Sequence, residues 1–165
     1  MRDLKWIGTA GRVVAAGVVL AFCGSAPSHA ASPEAITTLI GTYGGAGRVT
    51  YTDGSSETLN CTAYYTGADT ELRMTIQCRS EKNPIHIRSR LKFDGRRLSG
   101  EWEERTFNAS GSASGSSDSG KLSLSLSGGG FTGTMTVAYT KASHSVTIAT
   151  QGVPMRRATI QLSRR

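Results

Sequence analysis

The feature that most constrains the fold is an alternation of apolar and polar residues with a period of two, which runs through most of the chain after residue 41. Turn-forming residues such as Gly, Asp and Ser interrupt the alternation about every 8–12 residues. A period of two places successive side chains on opposite faces of a strand, so each segment presents one apolar face. The sequence therefore predicts an all-β protein, with a single helical turn at residues 33–40.

The alternation predicts nine consecutive antiparallel strands. They span residues 47–52, 56–66, 71–80, 84–93, 96–106, 120–127, 130–140, 143–150 and 156–163. A sheet in which every strand has one apolar face hides that face and its edges by closing on itself. We therefore predict an up-and-down meander closed into a small barrel of eight to ten strands. A two-sheet β-sandwich is the alternative, although only residues 107–119 are long enough for the crossover connection that sandwiches usually need.

Strand register can be predicted from the turns, because facing strands must bring their apolar sets to the same side. Two-residue turns are predicted at residues 94–95, 128–129 and 141–142, and a three-residue loop at 53–55. A turn at residues 69–70 places Cys61 opposite Cys78. Cβ atoms of a directly opposed pair lie roughly 4.5–5.5 Å apart, a separation that a disulfide bond can close with modest adjustment.

The N-terminal segment has the pattern of a secretory signal peptide. Arg2, Lys5 and Arg12 form a positive region, residues 13–23 are apolar, and small residues precede a cleavage position after Ala30. A membrane anchor is one alternative, but a span needs about 20 apolar residues. A lipoprotein signal ending at Cys23 is the other.

Cleavage after Ala30 would leave a single domain of residues 31–165 that retains two cysteines, Cys61 and Cys78. Two cysteines in an oxidising compartment favour one disulfide bond over two free thiols. The predicted location is therefore the periplasm or the exterior of the cell.

The charge of the chain is moderately basic, with a formal net charge of +7. An exported protein does not meet nucleic acid as a partner, so an anionic envelope polymer, a lipid headgroup or an envelope protein fits this charge better. A solvated basic surface is the simpler interpretation. The basic residues cluster at Arg88, Arg90, Lys92, Arg96 and Arg97, and again at Arg164 and Arg165.

The predicted architecture resembles the calycin barrels of lipocalins and avidins. Lipocalins carry a Gly-x-Trp motif on the first strand, whereas Gly100-Glu101-Trp102 lies on the fifth predicted strand, so the resemblance concerns architecture alone. The stretch 98–104, the Ser/Gly-rich segment after it and the stretch 128–131 also resemble small uncharacterised exported proteins of proteobacteria. Neither resemblance implies an activity.

No motif for catalysis is present: the sequence has no nucleophile elbow, no His pair with metal-ligand spacing and no phosphate-binding loop. The predicted register places His86 opposite Glu103 and Arg88 opposite Glu101, which indicates cross-strand ion pairs on the outer surface. We therefore predict a protein that is not an enzyme and has neither a cofactor nor a metal site.

A face rich in hydroxyl groups is predicted on the outside of the three strands between residues 120 and 150. Side chains of this kind keep a strand surface hydrated, and a flat contact surface for a glycan or a protein is the functional alternative. Its members are Ser123, Ser125, Ser127, Thr132, Thr134, Thr136, Ser145 and Thr147.

A candidate ligand site follows from the nine-strand order, in which alternate turns share one end of the barrel. The turns at 53–55, 81–84 and 141–142 would then lie beside residues 107–119, which have the composition of a flexible segment and room for a short tenth strand. The inward-facing residues nearest this end are Tyr51, Glu104, Tyr139 and His144, above an apolar lining led by Trp102.

Two functions are compatible with these features. The first is a non-enzymatic module that binds a small apolar or amphipathic molecule at this end, beneath residues 107–119 as a lid. The second is a structural or interaction protein of the cell envelope, with a filled interior and a functional outer surface. A barrel of about eight strands can either be filled by its own side chains or hold one small ligand.

Overall fold

The computed structural model describes residues 32–68, 70–82 and 84–165, with side chains from residue 35 onward. The predicted signal peptide, its cleavage after Ala30 and the alternative lipidation of Cys23 lie outside the described residues. Within the described part of the chain, no helix combines the length and apolar character needed to cross a membrane.

One short helix precedes ten strands. The helix α1 spans Ser32–Leu39, close to the predicted turn. The strands are β1 (Gly41–Tyr51), β2 (Ser56–Ala68), β3 (Glu71–Arg79), β4 (Ile85–Asp94), β5 (Arg97–Glu104), β6 (Ala109–Asp118), β7 (Lys121–Gly128), β8 (Phe131–Tyr139), β9 (Ser143–Gln151) and β10 (Met155–Arg164).

The strands form a closed barrel in which each pairs antiparallel with its neighbours in the chain, and β1 pairs with β10 to complete the ring. Closure leaves no strand edge exposed to another chain. The predicted fold class, an antiparallel up-and-down meander closed into a barrel, is confirmed over the two-sheet sandwich.

Alternation along each strand separates the core from the surface. On β9, for example, His144, Val146, Ile148 and Thr150 are buried and alternate with more exposed residues. The buried apolar residues of all ten strands and of α1 form a single cluster inside the barrel. The barrel interior is therefore the hydrophobic core of the protein.

Two glycines near Trp102 allow neighbouring strands to approach each other closely. A Cβ atom on Gly100 would lie 1.9 Å from the backbone oxygen of Arg90, and one on Gly111 would lie 1.9 Å from that of Ser127. No side chain fits at such distances, so glycine is required where neighbouring backbones approach this closely. Gly111 pairs directly with Trp102, so this close approach lies beside the indole.

The disulfide bond is present as predicted. Cys61 of β2 pairs with Cys78 of β3, and their sulfur atoms are bonded at 2.06 Å. Both residues are buried, so the bond joins the two strands inside the barrel wall.

The predicted registers are right for the hairpins β2–β3 and β8–β9 but are shifted by two residues in three others. Leu91 pairs with Gly100 instead of Leu98, because the turn after β4 occupies residues 95–96. The turn after β7 occupies 129–130, where both glycines have the positive φ that a two-residue hairpin turn requires. The loop after β1 occupies 52–54. A shift of two preserves the inward faces, so the error left the predicted core intact.

Residues 107–119 do not form the predicted lid. Most of the segment is β6, a full strand of the wall that pairs with β5 and β7. Its inward positions are small, as at Gly111, Ala113 and Gly115, so it lacks the apolar alternation of the other strands. The possible tenth strand is therefore real, and the flexible lid is wrong.

The additional strand changes which turns share an end of the barrel. We call the end that carries the turns after β1, β3, β5, β7 and β9 the cavity end. The opposite end, called the helix end, carries α1 and the turns after β2, β4, β6 and β8. The turn at 140–142 follows β8 and lies at the helix end, so its predicted place beside the turns at 52–54 and 80–84 is wrong. At the helix end, Ile36 and Leu39 of α1 pack into the barrel core.

Candidate ligand-binding site

A cavity of about 310 Å³ occupies the half of the barrel interior nearest the cavity end. It reaches the surface between three turns, where Phe107, Gly129 and Pro154 contribute to its lining and are all exposed. Phe107 is 64% exposed, which is unusual for a large apolar side chain. The interior is thus filled at the helix end and open at the cavity end.

The cavity wall is mainly apolar. Side chains of eight strands contribute, and β6 presents only small ones there, Ala109 and Ala113. The missing volume of β6 explains why the interior is hollow beside it, because an inward Leu or Phe at either position would occupy that space. The larger apolar lining residues are Val49, Ile85, Ile87, Trp102, Phe107, Leu124, Leu126, Phe131, Met135, Ile148, Val153 and Met155.

Trp102 is held rigidly in the wall. Its Nε1–H is directed at two backbone oxygens, those of Ser112 at 3.1 Å and Ser127 at 3.3 Å. The indole packs against the ring of Phe131, with centroids 4.8 Å apart. Trp102 is 4% exposed, so its indole offers a buried apolar surface to the cavity, and its one donor is already used.

Glu104 lines the cavity near its mouth, but its carboxylate is engaged in organising the turn. Oε1 accepts the backbone N–H of His86 at 2.7 Å, and Oε2 accepts that of Phe107 at 2.7 Å. Charge-assisted bonds of this kind are strong, and they connect β4 to the turn that follows β5. Glu104 therefore shapes the mouth through the position of Phe107.

Tyr51 also lies at the mouth, where its hydroxyl hydrogen-bonds to Glu57. Burial on its own would raise the pKa of Glu57. Hydrogen bonds from Ser80, the backbone N–H of Lys82 and Tyr51, together with the charge of Lys82, outweigh burial and hold the pKa below its usual value. Glu57 is consequently a stable anion that fixes one side of the rim.

Ser89 differs from the other polar groups of the lining. It faces inward on β4, between Met74 of β3 and Trp102 of β5 in the register. Its Oγ is buried and has no hydrogen-bond partner. Buried hydroxyl groups are usually hydrogen-bonded, so an unpartnered one that lines a cavity is a candidate contact for a ligand.

The other two predicted site residues, Tyr139 and His144, lie at the helix end, outside the cavity lining. They pair with each other as predicted. His144 stacks on Tyr43 with ring centroids 3.8 Å apart and meets the edge of Tyr65 at 4.7 Å. Arg164 donates a hydrogen bond to the hydroxyl of Tyr43, so a positively charged side chain lies next to this aromatic cluster.

Burial dominates the electrostatics of this cluster. It lowers the pKa of His144 to about 4, and the nearby charge of Arg164 acts in the same direction, against a smaller opposing effect of the Thr140 backbone. Burial also raises the pKa of Tyr65, with the neighbouring Tyr43 adding to the effect. Both groups are therefore neutral near pH 7.

Of the five predicted site residues, the structure brings Tyr51, Trp102 and Glu104 together and separates Tyr139 and His144 from them. Whether any of the five contacts a ligand stays a prediction. Sequence reasoning missed Ser89 and Phe107. Ser89 stands at an inward position of a predicted strand, which is a signal that was available. Phe107 was missed because residues 107–119 were interpreted as a flexible lid.

The outer surface also differs in detail from the prediction. Arg88, and not His86, pairs with Glu103, with 3.7 Å between Nη1 and Oε1, while His86 contacts Gln77. The hydroxyl-rich face is present on β7, β8 and β9 with its register corrected by two residues between β7 and β8. It continues onto β6, where the hydroxyl of Ser112 lies 3.0 Å from that of Ser127.

Comparison with known proteins identifies barrel proteins of similar fold. No protein-family model and no curated protein matches the sequence. The crystal structure of Rv2717c from M. tuberculosis matches with a TM-score of 0.65 and 15% identity, covering 85% of this chain and 98% of that one. The S-type phycobiliprotein lyase CPES from Guillardia theta matches with a TM-score of 0.57 and 13% identity, covering 80% and 91%.

These two similarities concern the fold alone. Both neighbours are barrel proteins of the calycin-like type, which agrees with the architectural resemblance seen in the sequence. At such low identity they assign neither a family nor an activity to this chain.

Proposed function

We propose that the protein binds a small apolar molecule in the cavity and performs no chemistry on it. The observation that carries this proposal is the cavity itself, an apolar space within the core that reaches the surface at one end. Ligand sites are typically concave, mainly apolar and supplied with few polar groups. The acid in the lining, Glu104, already has both oxygens bonded to backbone amides, which supports binding over catalysis.

The size of the cavity limits the ligand. A dry apolar cavity of about 150 Å³ in another protein holds benzene. The present volume of about 310 Å³ is about twice as large and suits two fused rings or a short branched chain. The exposed ring of Phe107 at the mouth gives such a molecule an apolar surface on which to enter.

Naphthalene is a suitable probe, and its affinity can be measured by titration followed by isothermal calorimetry or by its own fluorescence. Ala113→Leu and Ala109→Leu each place a larger side chain in the cavity and should weaken binding at least tenfold. Ala138→Leu is the matched control, because Ala138 is exposed on the outer face of β8. Urea unfolding checks that each variant is folded, since overpacking costs about 1–3 kcal/mol.

Two results would count against the proposal. Naphthalene failing to bind the wild-type protein would remove it directly. Equal binding by Ala113→Leu, Ala109→Leu and Ala138→Leu would place the probe outside the cavity. The envelope-interaction alternative would then lead, with the hydroxyl-rich face or the basic patch as its surface.

We also propose that this binding takes place outside the cytoplasm, in the periplasm or beyond the cell. The signal-like pattern of residues 1–30 and the bond between Cys61 and Cys78 support this location, because structural disulfides persist in oxidising compartments. Mass spectrometry of the protein from its own cells should find a chain that begins at Ala31. A cytoplasmic chain with an intact residue 1–30 segment would contradict the proposed location.

A further inference from the structure

The polar groups of the cavity lining are already hydrogen-bonded, with one exception among the described residues. Tyr51, Trp102, Glu104 and Thr150 all have partners within the protein, the last through Oγ1–H donated to the backbone oxygen of Met155. The hydroxyl of Ser89 has none. A ligand with one polar group would find its partner there.

The charges around the cavity disfavour an anion. No Lys, Arg or His side chain appears among the described residues of the lining, and Glu104 places a carboxylate near the mouth. Moving an anion from water into an apolar space without a cation or several donors is costly. The site therefore disfavours a carboxylate, such as that of a fatty acid, and accepts a neutral molecule.

We propose that Ser89 is the hydrogen-bonding anchor of the ligand, and that the ligand is a neutral apolar molecule with a single hydroxyl or carbonyl group. This inference rests on the proposed binding function. A serine hydroxyl can donate to a carbonyl or accept from a hydroxyl, which is why both groups qualify. The position of Ser89 beside Trp102 places this contact next to the indole, so a flat ring that packs on Trp102 can carry its polar group toward Ser89.

Three probes with the same two fused rings separate the effect of a neutral hydroxyl group on affinity from the effect of a negative charge. Naphthalene has no polar group, 1-naphthol adds a neutral hydroxyl, and 1-naphthoate adds a carboxylate. One hydrogen bond contributes about a fivefold gain in affinity, so wild-type protein should bind 1-naphthol about fivefold more tightly than naphthalene. It should bind 1-naphthoate at least tenfold more weakly than 1-naphthol.

The variant Ser89→Ala should lose the preference for 1-naphthol and keep its affinity for naphthalene. Ser99→Ala is the matched control, because Ser99 is exposed on the outer face of β5, and it should rank the probes as the wild type does. The wild-type ranking of the three probes needs no variant, so it tests the inference even where Ser89→Ala is poorly folded.

Failure of the two proposals is distinguishable. If naphthalene does not bind, the cavity is not a binding site and both proposals fall. If naphthalene binds but Ser89→Ala retains the full preference for 1-naphthol, the anchor is elsewhere and only this inference is overturned. Binding of 1-naphthoate as tightly as 1-naphthol would likewise overturn the assignment of a neutral ligand.

Discussion

The buried histidine at the helix end predicts a loss of stability in mild acid. His144 is 1% exposed, and a hydrogen bond with the Thr140 backbone opposes the effect of burial on its pKa without outweighing it. The charged and titratable groups around it are Tyr43, Tyr65, Tyr139 and Arg164, none of which is an anion that would stabilise a protonated ring. Folding therefore has to keep this imidazole neutral.

The magnitude follows from the difference between the folded and unfolded pKa values. The pKa of His144 is about 4 in the folded protein and 6.5 in the absence of burial. As pH falls from 6.5 to 4, the unfolded chain takes up a proton that the folded chain does not. The free energy of unfolding is therefore highest, as far as this group is concerned, above about pH 6.5. It falls by a total of about 3 kcal/mol as the pH decreases from 6.5 to 4.

Urea unfolding of wild type and His144→Phe at pH 7.5, 5.5 and 4 measures this loss. The phenyl ring keeps the stack on Tyr43 and cannot be protonated, so the variant should lose about 3 kcal/mol less than wild type over the range. Tyr65→Phe is the control: its buried hydroxyl has no partner and its pKa is raised, so it should keep the wild-type pH dependence. The reasoning is refuted if His144→Phe loses stability as steeply as wild type.

Three further predictions concern the wall and the mouth. Reducing the chain or replacing Cys61 or Cys78 with Ser should cost about 3 kcal/mol, because the cysteines are 17 residues apart, and the double variant should be no worse than either single one in urea unfolding. Trp102→Phe should lower stability by about 2 kcal/mol through loss of the Nε1–H bonds and weaken naphthalene binding in calorimetry. Glu104→Gln should weaken the turn by about 1 kcal/mol and reduce affinity less than Trp102→Phe does.

The barrel was predictable from sequence because most strands bury large apolar side chains at alternate positions. Leu122, Leu124 and Leu126 of β7 show the pattern clearly. Pairing was predictable where the turn had one plausible position, as between Cys61 and Cys78. It was wrong by two residues after β7, where three adjacent glycines offered several positions for the turn, and after β1 and β4, where an Asp-Gly pair was placed one residue away from its position in the turn.

The candidate site was only partly predictable, because strand β6 was not recognised in the sequence. The inward face of β6 consists of small residues such as Ala113 and Gly115, which give no hydrophobic periodicity to detect. Its omission placed Tyr139 and His144 at the wrong end of the barrel. Ala109 and Ala113 of this strand line the cavity, so the small side chains that gave no sequence signal for the strand also leave space in the interior.

The most direct test of the central claim is to locate a bound molecule within the barrel by methyl NMR. Met135 and Met155 line the cavity, whereas Ala63 is buried toward the helix end, outside its lining. In protein labelled at the methionine and alanine methyl groups, saturating naphthalene should shift the Met135 and Met155 resonances strongly and the Ala63 resonance much less. Unchanged Met135 and Met155 resonances, or the largest shift at Ala63, would contradict binding in this cavity.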